Sequence, residues 1–478
     1  MRVGALGLVL AFGCTRQPTS EEAPVAHDLP HAEPEPTCSL AELEHAPPPT
    51  TVDGLPAVPI DVIELAARIE FDAATGQARA SATLRFRLGD AAGMPIFDLR
   101  QQPTFAALDG QPIDPAALAR HDFGMGQASG MRVLEVELPA CTTHELVVDH
   151  PLERPDAPLA QGPIFSTEPA RLHFDVWMSD LHPGRYLESW LPTTLPYDEF
   201  SLTLEIDLLG AEVEHALISN AEVESLGEHA WLLEFPPSTR PMSPLIAIAP
   251  REDWTIATGT HAAASGQDID WTLVLDASVT TPIDVVIAEV GDRLDEFVIS
   301  TGAYPHPRLT MILGAERRSM EYDGAFTAKP SALTHELFHS WWGRGVHPAR
   351  HADGWIDEAW DVYNTGSGRR FAVEPFVATA RPVVLAHPHP FSRAMPNSAY
   401  SQGRRVFAGL AAAIGVEPLR TTMARIFAER SNAAITTEEL QRILYCENGR
   451  SADVQLGFHR FVHGLAEPPP ALPANWCD

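Results

Sequence analysis

The sequence predicts a multidomain α+β protein in which an antiparallel β domain precedes a second domain with a helical C-terminal part. Its 478 residues are enough for two or three domains that each bury a core. Apolar and polar residues alternate strictly over 200–208, as in a strand with one solvated face. After Trp271 the apolar residues recur at spacings of three and four, which indicates helices. We therefore place the β domain at residues 57–251 and the second domain at residues 252–478.

The first residues have the features of an export signal. Arg2 precedes an apolar run over 3–13 that ends in small residues before Cys14. Residues 10–14 resemble a bacterial lipobox, in which the cysteine becomes the lipidated N-terminus. Residues 1–14 are thus interpreted as a signal peptide with a lipobox, which predicts an exported lipoprotein of the bacterial cell envelope, periplasmic or on the surface. Plain secretion is the alternative.

Composition limits the partners of the chain. Thirty-three basic side chains against sixty-four acidic ones give a formal charge of -31, which repels the phosphates of nucleic acids. No run of about eighteen apolar residues could cross a bilayer, so we expect membrane contact only through a lipid anchor. Residues 15–56 are mainly Pro, Glu, Ala, Ser and Thr, a composition typical of a disordered tether.

The second half begins with an ordered series of predicted elements. Pro282 can occupy the first turn of a helix whose apolar residues start at Ile283, and Gly302 can end that helix. Residues 309–313 form a short apolar run typical of a buried strand. The segment 317–328 that follows could be an edge strand.

Capping residues mark the later helices. Ser331 can cap a helix that continues beyond it, and Asp353 can cap the next one. Thr436 and Glu439 have the spacing of a capping box, and Ser451 can start a last amphipathic helix. These signals predict a mainly helical C-terminal half.

Four cysteines remain if Cys14 is lipidated, namely Cys38, Cys141, Cys446 and Cys477. An even number in an oxidising compartment favours disulfides, and four thiols allow three pairings. Their order along the chain favours Cys38 with Cys141 and Cys446 with Cys477. Buried unpaired thiols are the alternative.

A metal-binding pattern lies at the centre of the second half. His335 and His339 are four residues apart, about one helical turn, so both imidazoles can reach one Zn²⁺ while Glu336 points at the metal's water. A catalytic zinc needs a third protein ligand and an open position. Glu358, separated from His339 by eighteen residues on a second predicted helix, supplies that ligand. We therefore predict one zinc ion per chain.

Three nearby residues have weaker claims on the site. His347 and His351 are also four apart, but they lie in a link that contains Pro and Gly, so we expect ordinary surface histidines. Asp361 lies one turn beyond Glu358 and could hydrogen-bond a ligand histidine. It could equally be solvated.

Around these residues the sequence resembles the aminopeptidase N family of gluzincin zinc metallopeptidases. The matching segments read H-E-L-F-H-S-W-W-G at 335–343 and W-I-D-E-A-W-D-V-Y at 355–363, where the family usually has N-E-G in place of D-E-A. The resemblance covers most of residues 57–465. It implies a thermolysin-like catalytic domain, the three zinc ligands His335, His339 and Glu358, and a catalytic Glu336. The chain stops near where the family's further β and large helical domains would begin, which implies a more open site.

Two further motifs are similar to those of the family. Tyr400, in Y-S-Q-G, resembles the tyrosine that stabilises the oxyanion, with a packing role as the alternative. Glu321, in R-S-M-E-Y, resembles the glutamate of G-x-M-E-N, which binds the free amino terminus of the substrate. Asp180 could assist Glu321. Arg317 would lie on the same face of a strand as Glu321 and could neutralise it.

These residues predict a zinc-dependent peptidase that hydrolyses peptide bonds, with Glu336 as general base and Tyr400 as oxyanion stabiliser. With Glu321 as anchor for an ammonium, the enzyme would be an aminopeptidase acting on a peptide or protein substrate. A thermolysin-like endopeptidase is the alternative enzyme. A non-catalytic, peptide-binding surface lipoprotein is the alternative of another class, although binding alone requires neither Glu336 nor Tyr400.

Overall fold

The computed structural model describes residues 41–124, 130–153, 164–168, 171–176, 178–366 and 370–477. The predicted signal peptide, Cys14, Cys38 and the first part of the predicted tether lie outside these ranges.

The N-terminal half of the described chain is built from strands. They are β1 (Thr50–Val52), β2 (Leu55–Asp72), β3 (Gln77–Leu88), β4 (Met94–Asp98), β5 (Phe105–Leu108), β6 (Gln111–Ile113), β7 (Leu118–Arg120), β8 (Met131–Leu134), β9 (Thr143–Pro151), β10 (Ile164–Glu168), β11 (Arg171–Asp175), β12 (Ser201–Leu209), β13 (His215–Ser219), β14 (Glu222–Gly227), β15 (Ala230–Glu234) and β16 (Ile246–Pro250).

The C-terminal half mixes strands with helices. Its strands are β17 (Trp254–Ala262), β18 (Asp268–Asp276), β19 (Arg308–Leu313), β20 (Met320–Tyr322), β21 (Ala325–Ala328), β22 (Val346–Pro348) and β23 (Ala433–Ile435). Its helices are α1 (Ile283–Ser300), α2 (Leu333–Phe338), α3 (Trp355–Thr365), α4 (Arg404–Ile414), α5 (Val416–Arg430), α6 (Thr437–Glu447) and α7 (Ala452–Phe461). The predicted α+β class, with strands first and helices concentrated in the C-terminal part, is confirmed.

The largest sheet has the strand order β14-β15-β12-β2-β3-β9-β5-β6, with β1, β4, β7 and β8 attached beside β2. Its pairings are antiparallel except that β2 runs parallel to both β12 and β4. Alternation along β12 buries every second residue, as predicted, since one face packs on the core. Alternation reports which face is buried and not the direction of the neighbouring strand, so these two parallel pairings were not foreseen.

Three smaller sheets complete the strands. One has the order β10-β11-β16-β13, and another pairs β22 with β23. The third, β17-β18-β19-β21-β20, carries the predicted edge segment as a hairpin, because β20 and β21 pair through Met320↔Thr327. The single edge strand predicted over 317–328 is therefore two short strands joined by a turn.

Two large hydrophobic clusters form most of the core of the described residues. The first draws mainly on residues between Val58 and Trp254, and the second on residues between Ala263 and Val462. The sheet of β17 to β21 lies between them, because Ile312 of β19 packs in the first cluster while its neighbour Met311 packs in the second. The strands that lead to the predicted site are thus fixed from both sides.

The predicted tether ends earlier than residue 56. Within its last part, Ala41–Leu43 form a 3₁₀ turn and β1 pairs antiparallel with the start of β2, with Thr50 opposite Ala57. Val52 is buried in a small cluster with Met94 and Phe391. A composition poor in large apolar groups did not reveal that one such residue fastens this segment to the fold.

The capping predictions have mixed outcomes. The capping box of Thr436 and Glu439 is present, and Ser451 accepts a hydrogen bond from the Val454 amide at the start of α7. The caps at Ser331 and Asp353 are wrong. Ser331 lies within a 3₁₀ turn that leads into α2, and Asp353 precedes Gly354 and accepts instead from the Thr437 amide and from Arg350.

One predicted disulfide is confirmed, between Cys446 and Cys477. It joins the end of α6 to the end of the described chain. Cys141 is also disulfide-bonded, and its predicted partner Cys38 lies outside the described residues. Among the helices of the described ranges, none combines the length and apolar character needed to span a bilayer.

Helix α3 makes a close contact with a wide helical turn. Residues 399–403 form a π-helical turn that leads into α4 and packs on α3. A Cβ placed on Gly403 would come within 2.5 Å of the Ala359 Cβ, so only glycine allows this approach. Such π-turns often occur at functional sites, and this one carries Tyr400.

Candidate metal centre and active site

Helix α2 brings the two predicted histidine ligands together. His335 lies within the helix and His339 follows its last residue, with the His339 amide still donating to the His335 carbonyl. Their Nε2 atoms are 3.3 Å apart, and the two rings are close to perpendicular. The predicted one-turn spacing is therefore confirmed in the folded chain.

Glu358 approaches the same point from α3. Its Oε2 atom lies 3.3 Å from Nε2 of His335 and 3.6 Å from Nε2 of His339. Although Oε2 is buried, it has no hydrogen-bond partner in the described part of the chain. A buried carboxylate oxygen without a partner is costly, and a cation at this point would remove that cost.

The other ring nitrogens fix the orientation of both imidazoles. Nδ1 of His335 is 2.7 Å from Oδ1 of Asp361, and Nδ1 of His339 is 3.0 Å from the Trp342 carbonyl oxygen. Both partners accept these hydrogen bonds, so each Nδ1 carries a proton and each Nε2 is the ring nitrogen that faces Glu358. The predicted hydrogen bond between Asp361 and His335 is thereby confirmed, and the solvated alternative is wrong because Asp361 is buried.

The electrostatics of the cluster favour positive charge. Burial lowers the pKa of His335, but Asp361 and Glu358 outweigh it and raise that pKa well above its usual value. Burial also lowers the pKa of His339, but Glu321, Asp361 and Glu358 outweigh it and raise that pKa well above its usual value. Burial raises the pKa of Glu358, but the two histidines hold it well below its usual range. The site therefore favours positive charge between the two Nε2 atoms and Glu358, which protons on Nε2 can supply and which a metal ion bound to these nitrogens would supply in their place.

The donor set fits zinc. Two imidazole nitrogens and one carboxylate oxygen, all within 4.8 Å of one another, match the His₂Glu set of catalytic zinc sites. The Asp361 contact to His335 is the kind of outer hydrogen bond that orients a metal-binding imidazole. His335, His339 and Glu358 would hold the ion.

Glu336 lies on α2 beside the ligands and is only 4% exposed. Burial, together with the charges of Glu321 and Glu358, raises its pKa to about 8 even though both histidines lower it. A carboxyl group with a raised pKa beside a candidate metal site suits proton transfer near neutral pH.

Tyr400 reaches the cluster from the π-turn. Its hydroxyl donates to Oε1 of Glu358, and its ring stacks on His335 with the ring centres 6.1 Å apart. Burial and the neighbouring Glu358 raise its pKa above the usual value, so the hydroxyl keeps its proton. The predicted residue is therefore in the site, as a donor.

Glu321 lies at the edge strand β20 and is buried. One oxygen each of Asp180, Glu321 and Glu358 lie within 4.8 Å of one another, so the predicted assistant Asp180 is in place. Burial, and next the charge of Glu321, raise the pKa of Asp180 to about 7. Tyr186 donates a hydrogen bond to Asp180.

The expected neutralisation of Glu321 by Arg317 is wrong. Arg317 precedes β20, so strand alternation does not extend to it, and it binds Asp175 at 2.6 Å and Asp276 at 3.2 Å. The cation at Glu321 is Arg344, whose Nη2 lies 3.1 Å from Oε1 of Glu321. Sequence reasoning missed Arg344 because the two residues meet only through the fold.

His347 and His351 are buried and not on the surface, which corrects the prediction. His347 lies in β22, which pairs with β23, and approaches Arg240. His351 stacks on Tyr186 with ring centres 5.1 Å apart. Burial lowers the pKa of both. Among the described residues, neither belongs to the group of converging metal donors.

Asp357 is a second residue that sequence reasoning did not single out. It is buried beside Glu358, and its Oδ1 accepts from the Glu358 amide at 2.7 Å. Gly343 approaches it closely, because a Cβ on Gly343 would lie 3.0 Å from Oδ2 of Asp357 and 3.1 Å from Nδ1 of His339. The positive φ of Gly343, 112°, requires glycine for the same turn.

The chain resembles known proteins in its three-dimensional structure. No protein-family model and no curated protein sequence matches the chain. Solved structures do match. An M1 zinc metallopeptidase from Deinococcus radiodurans is similar with a TM-score of 0.58 and 17% identity, over 86% of this chain and 96% of that chain.

Two further solved structures have a similar fold. A variant of the M1 zinc metallopeptidase from Deinococcus radiodurans, bound to a Tyr-Ser-Ala substrate, has a TM-score of 0.57 and 17% identity over 86% of this chain and 96% of its own. Aminopeptidase A from Legionella pneumophila, in complex with aspartic acid, has a TM-score of 0.64 and 13% identity over 85% of this chain and 50% of its own. The fold is that of the M1 zinc metallopeptidases, as the motifs indicated.

The geometry predicts tight binding of one divalent ion. We expect the purified chain to hold about one equivalent of zinc and His339→Ala to lose it, because two remaining ligands cannot complete the site. Metal analysis by mass spectrometry measures the content. His150→Ala, which removes a buried histidine from β9, is the matched control and should retain the metal. A folded wild-type chain that binds no added zinc would contradict the assignment.

Proposed function

We propose that this chain is a zinc-dependent aminopeptidase, which releases residues from the N-terminus of peptides. The observation that carries the proposal is the convergence of Nε2 of His335, Nε2 of His339 and Oε2 of Glu358, a buried oxygen that has no hydrogen-bond partner among the described residues. The fold, shared with M1 zinc metallopeptidases, supports the same reaction class. An M1 structure with a bound Tyr-Ser-Ala substrate supports peptides as the substrate class.

The residues divide the work of hydrolysis among them. Zinc held by His335, His339 and Glu358 would polarise the scissile carbonyl and lower the pKa of a water molecule. Glu336 takes the proton of the attacking water and passes it to the leaving amine. Tyr400 donates its hydroxyl proton in a hydrogen bond to the carbonyl oxygen as negative charge develops there.

Tyr400 must exchange partners to do so. Its hydroxyl donates to Oε1 of Glu358, which supports a role as a donor beside the proposed zinc site. Its ring, stacked on His335, holds the hydroxyl at that edge of the site. The π-turn that carries Tyr400 packs on α3, so donor and ligand share one support.

The carboxylates of Glu321 and Asp180 supply the selection of free N-termini. One oxygen of each lies within 4.8 Å of an oxygen of Glu358, and Glu321 is buried while Asp180 is partly buried. The ammonium of a bound peptide would lie there, next to its scissile bond. A charge-assisted contact of this kind contributes about 1.5 to 3 kcal/mol, roughly ten to a hundredfold in selectivity.

A thermolysin-like endopeptidase remains the second candidate, and one observation favours it. Glu321 is already paired with Arg344 at 3.1 Å, which weakens its attraction for an ammonium. The two candidates share the zinc centre and Glu336, and they differ only in how they treat a blocked N-terminus.

We also propose that the chain acts outside the cytoplasm. The signal-like residues 1–14, the lipobox-like Cys14 and the disulfide between Cys446 and Cys477 support export to the bacterial cell envelope or secretion. A peptide or protein substrate and a lipid anchor are the partners this implies.

The general base is tested by Glu336→Gln. We expect zinc and fold to be retained and turnover to fall by roughly 10²- to 10⁴-fold, since the ligands are untouched while proton transfer is lost. Peptide hydrolysis and metal content are measured together. Glu188→Gln is the matched control, because Glu188 is equally buried but lies near Asp98. Near-normal turnover in Glu336→Gln would favour the non-catalytic, peptide-binding alternative.

The oxyanion donor is tested by Tyr400→Phe. We expect kcat to fall by roughly 10²-fold or more with little change in KM, because the hydrogen bond strengthens as charge develops. Tyr363→Phe is the matched control. Tyr363 is a buried tyrosine of α3 whose hydroxyl has no hydrogen-bond partner within the described ranges, so its loss should be neutral. A change confined to KM would assign Tyr400 a binding or packing role.

Aminopeptidase and endopeptidase are separated by Glu321→Ala. We expect the wild type to cleave peptides with a free N-terminus roughly ten to a hundredfold better than acetylated ones, and the variant to lose this preference while keeping zinc. Glu321→Gln, which preserves size, should behave in the same way. If the wild type cleaves acetylated peptides as fast as free ones, the endopeptidase is the function.

A further inference from the structure

Arg344 is a buried cation beside the proposed ammonium anchor. Its side chain is 1% exposed, and its Nη2 lies 3.1 Å from Oε1 of Glu321 and 3.9 Å from Oδ1 of Asp180. Its Nη1 contacts the sulfur of Met242. One guanidinium thus touches both carboxylates to which we assign recognition of the substrate's N-terminus.

The backbone of Arg344 is fixed on both sides. Its amide donates to the His339 carbonyl at 3.0 Å, which links it to a metal ligand. Its carbonyl accepts from Nη2 of Arg240 at 3.3 Å. These two hydrogen bonds fix the position of Arg344 beside Glu321.

Glu321 is held by the same framework. Arg240 pairs with Asp323 at 3.2 Å, and Asp323 directly follows β20, the strand that carries Glu321. Ser243 also donates to Asp323, at 2.5 Å. Both members of the Arg344 and Glu321 pair are thus fixed through Arg240, so neither can withdraw easily when a substrate arrives.

We propose that Arg344 competes with the substrate's terminal ammonium for Glu321 and so sets how strongly the enzyme selects free N-termini. This inference rests on the proposed aminopeptidase function. Arg344 acts through Glu321 and is a positioning residue. An ammonium that enters the site meets two carboxylates that already share one guanidinium, so it gains less than it would from the same carboxylates alone.

The magnitude follows from burial. In a site with little water, a cation is stabilised mainly by the carboxylates nearest to it. Two cations in the same site must share those carboxylates. Loss of the Arg344 contact leaves Oε1 of Glu321 without its cation, and an incoming ammonium can supply one. We expect the ratio of kcat/KM for free over acetylated peptides to rise by about tenfold.

The experiment measures that ratio in Arg344→Gln with one peptide sequence, free and N-acetylated. We expect the gain to appear mainly as a lower KM for the free peptide, since an ammonium contact is made in the bound ground state as well as the transition state. Arg317→Gln is the matched control. Arg317 is also a largely buried, ion-paired arginine, but it pairs with Asp175 and Asp276, so its loss should leave the ratio unchanged.

A double-mutant cycle tests the route. In a Glu321→Gln background, Arg344→Gln should no longer change the ratio, because the shared carboxylate is gone. Since removal of a buried arginine can unfold a chain, Arg344→Lys is measured in parallel. It keeps the charge on a shorter, single-headed group, and the ratio should lie between wild type and Arg344→Gln.

The outcomes separate the two proposals. If the wild type shows no zinc-dependent hydrolysis, the proposed function fails. If the wild type is active but Arg344→Gln and Arg344→Lys leave the ratio unchanged or lower it, Arg344 does not compete with the ammonium and only this inference is overturned. A rise in ratio that persists in the Glu321→Gln background would also overturn it.

Discussion

The constraint on which the site depends is the meeting of three electron-donating atoms in a buried place. The Nε2 atoms of the two imidazoles lie 3.3 Å apart while both Nδ1 atoms donate elsewhere, and among the described residues the carboxylate oxygen that faces them has no hydrogen-bond partner. A protein fold reaches such an arrangement at a cost unless a cation occupies the point between the atoms. The one-turn spacing on α2, the position of Glu358 on α3 and the contact from Asp361 all serve this convergence.

Around that point the protein concentrates acidic groups and then moderates them. Asp180, Glu321, Glu336, Asp357, Glu358 and Asp361 are buried or nearly so, and burial, followed by mutual repulsion, raises the pKa of Asp180, Glu336 and Asp357. Among the described side chains, the cation in contact with Glu321 is Arg344. Each positive charge added to the site, whether from a metal ion, a side chain or the substrate, therefore changes the affinity of the site for a further cation.

Much of the site could be predicted from the sequence because its central relations are local. The histidine pair is separated by one helical turn, Asp361 by one turn from Glu358, and the capping box by three residues, and these spacings survive folding. Relations that depend on tertiary packing could not be predicted. The pairing of Arg344 with Glu321, the burial of His347 and His351, and the parallel pairing of β2 with β12 all join segments far apart in the chain. The caps assigned to Ser331 and Asp353 failed because a 3₁₀ turn and a tertiary contact to Thr437 take their places.

The contact between α3 and the π-turn has a consequence for how such chains can vary. The space between positions 359 and 403 holds a single methyl group, here that of Ala359, and a second one at Gly403 would overlap it. Ala359 adjoins Glu358, and Gly403 lies one turn from Tyr400. The methyl group that fills this space therefore fixes the distance between the side chains of Glu358 and Tyr400. A homologue with glycine at position 359 would have room for alanine at 403, and the two positions should therefore exchange their methyl group as a pair during divergence.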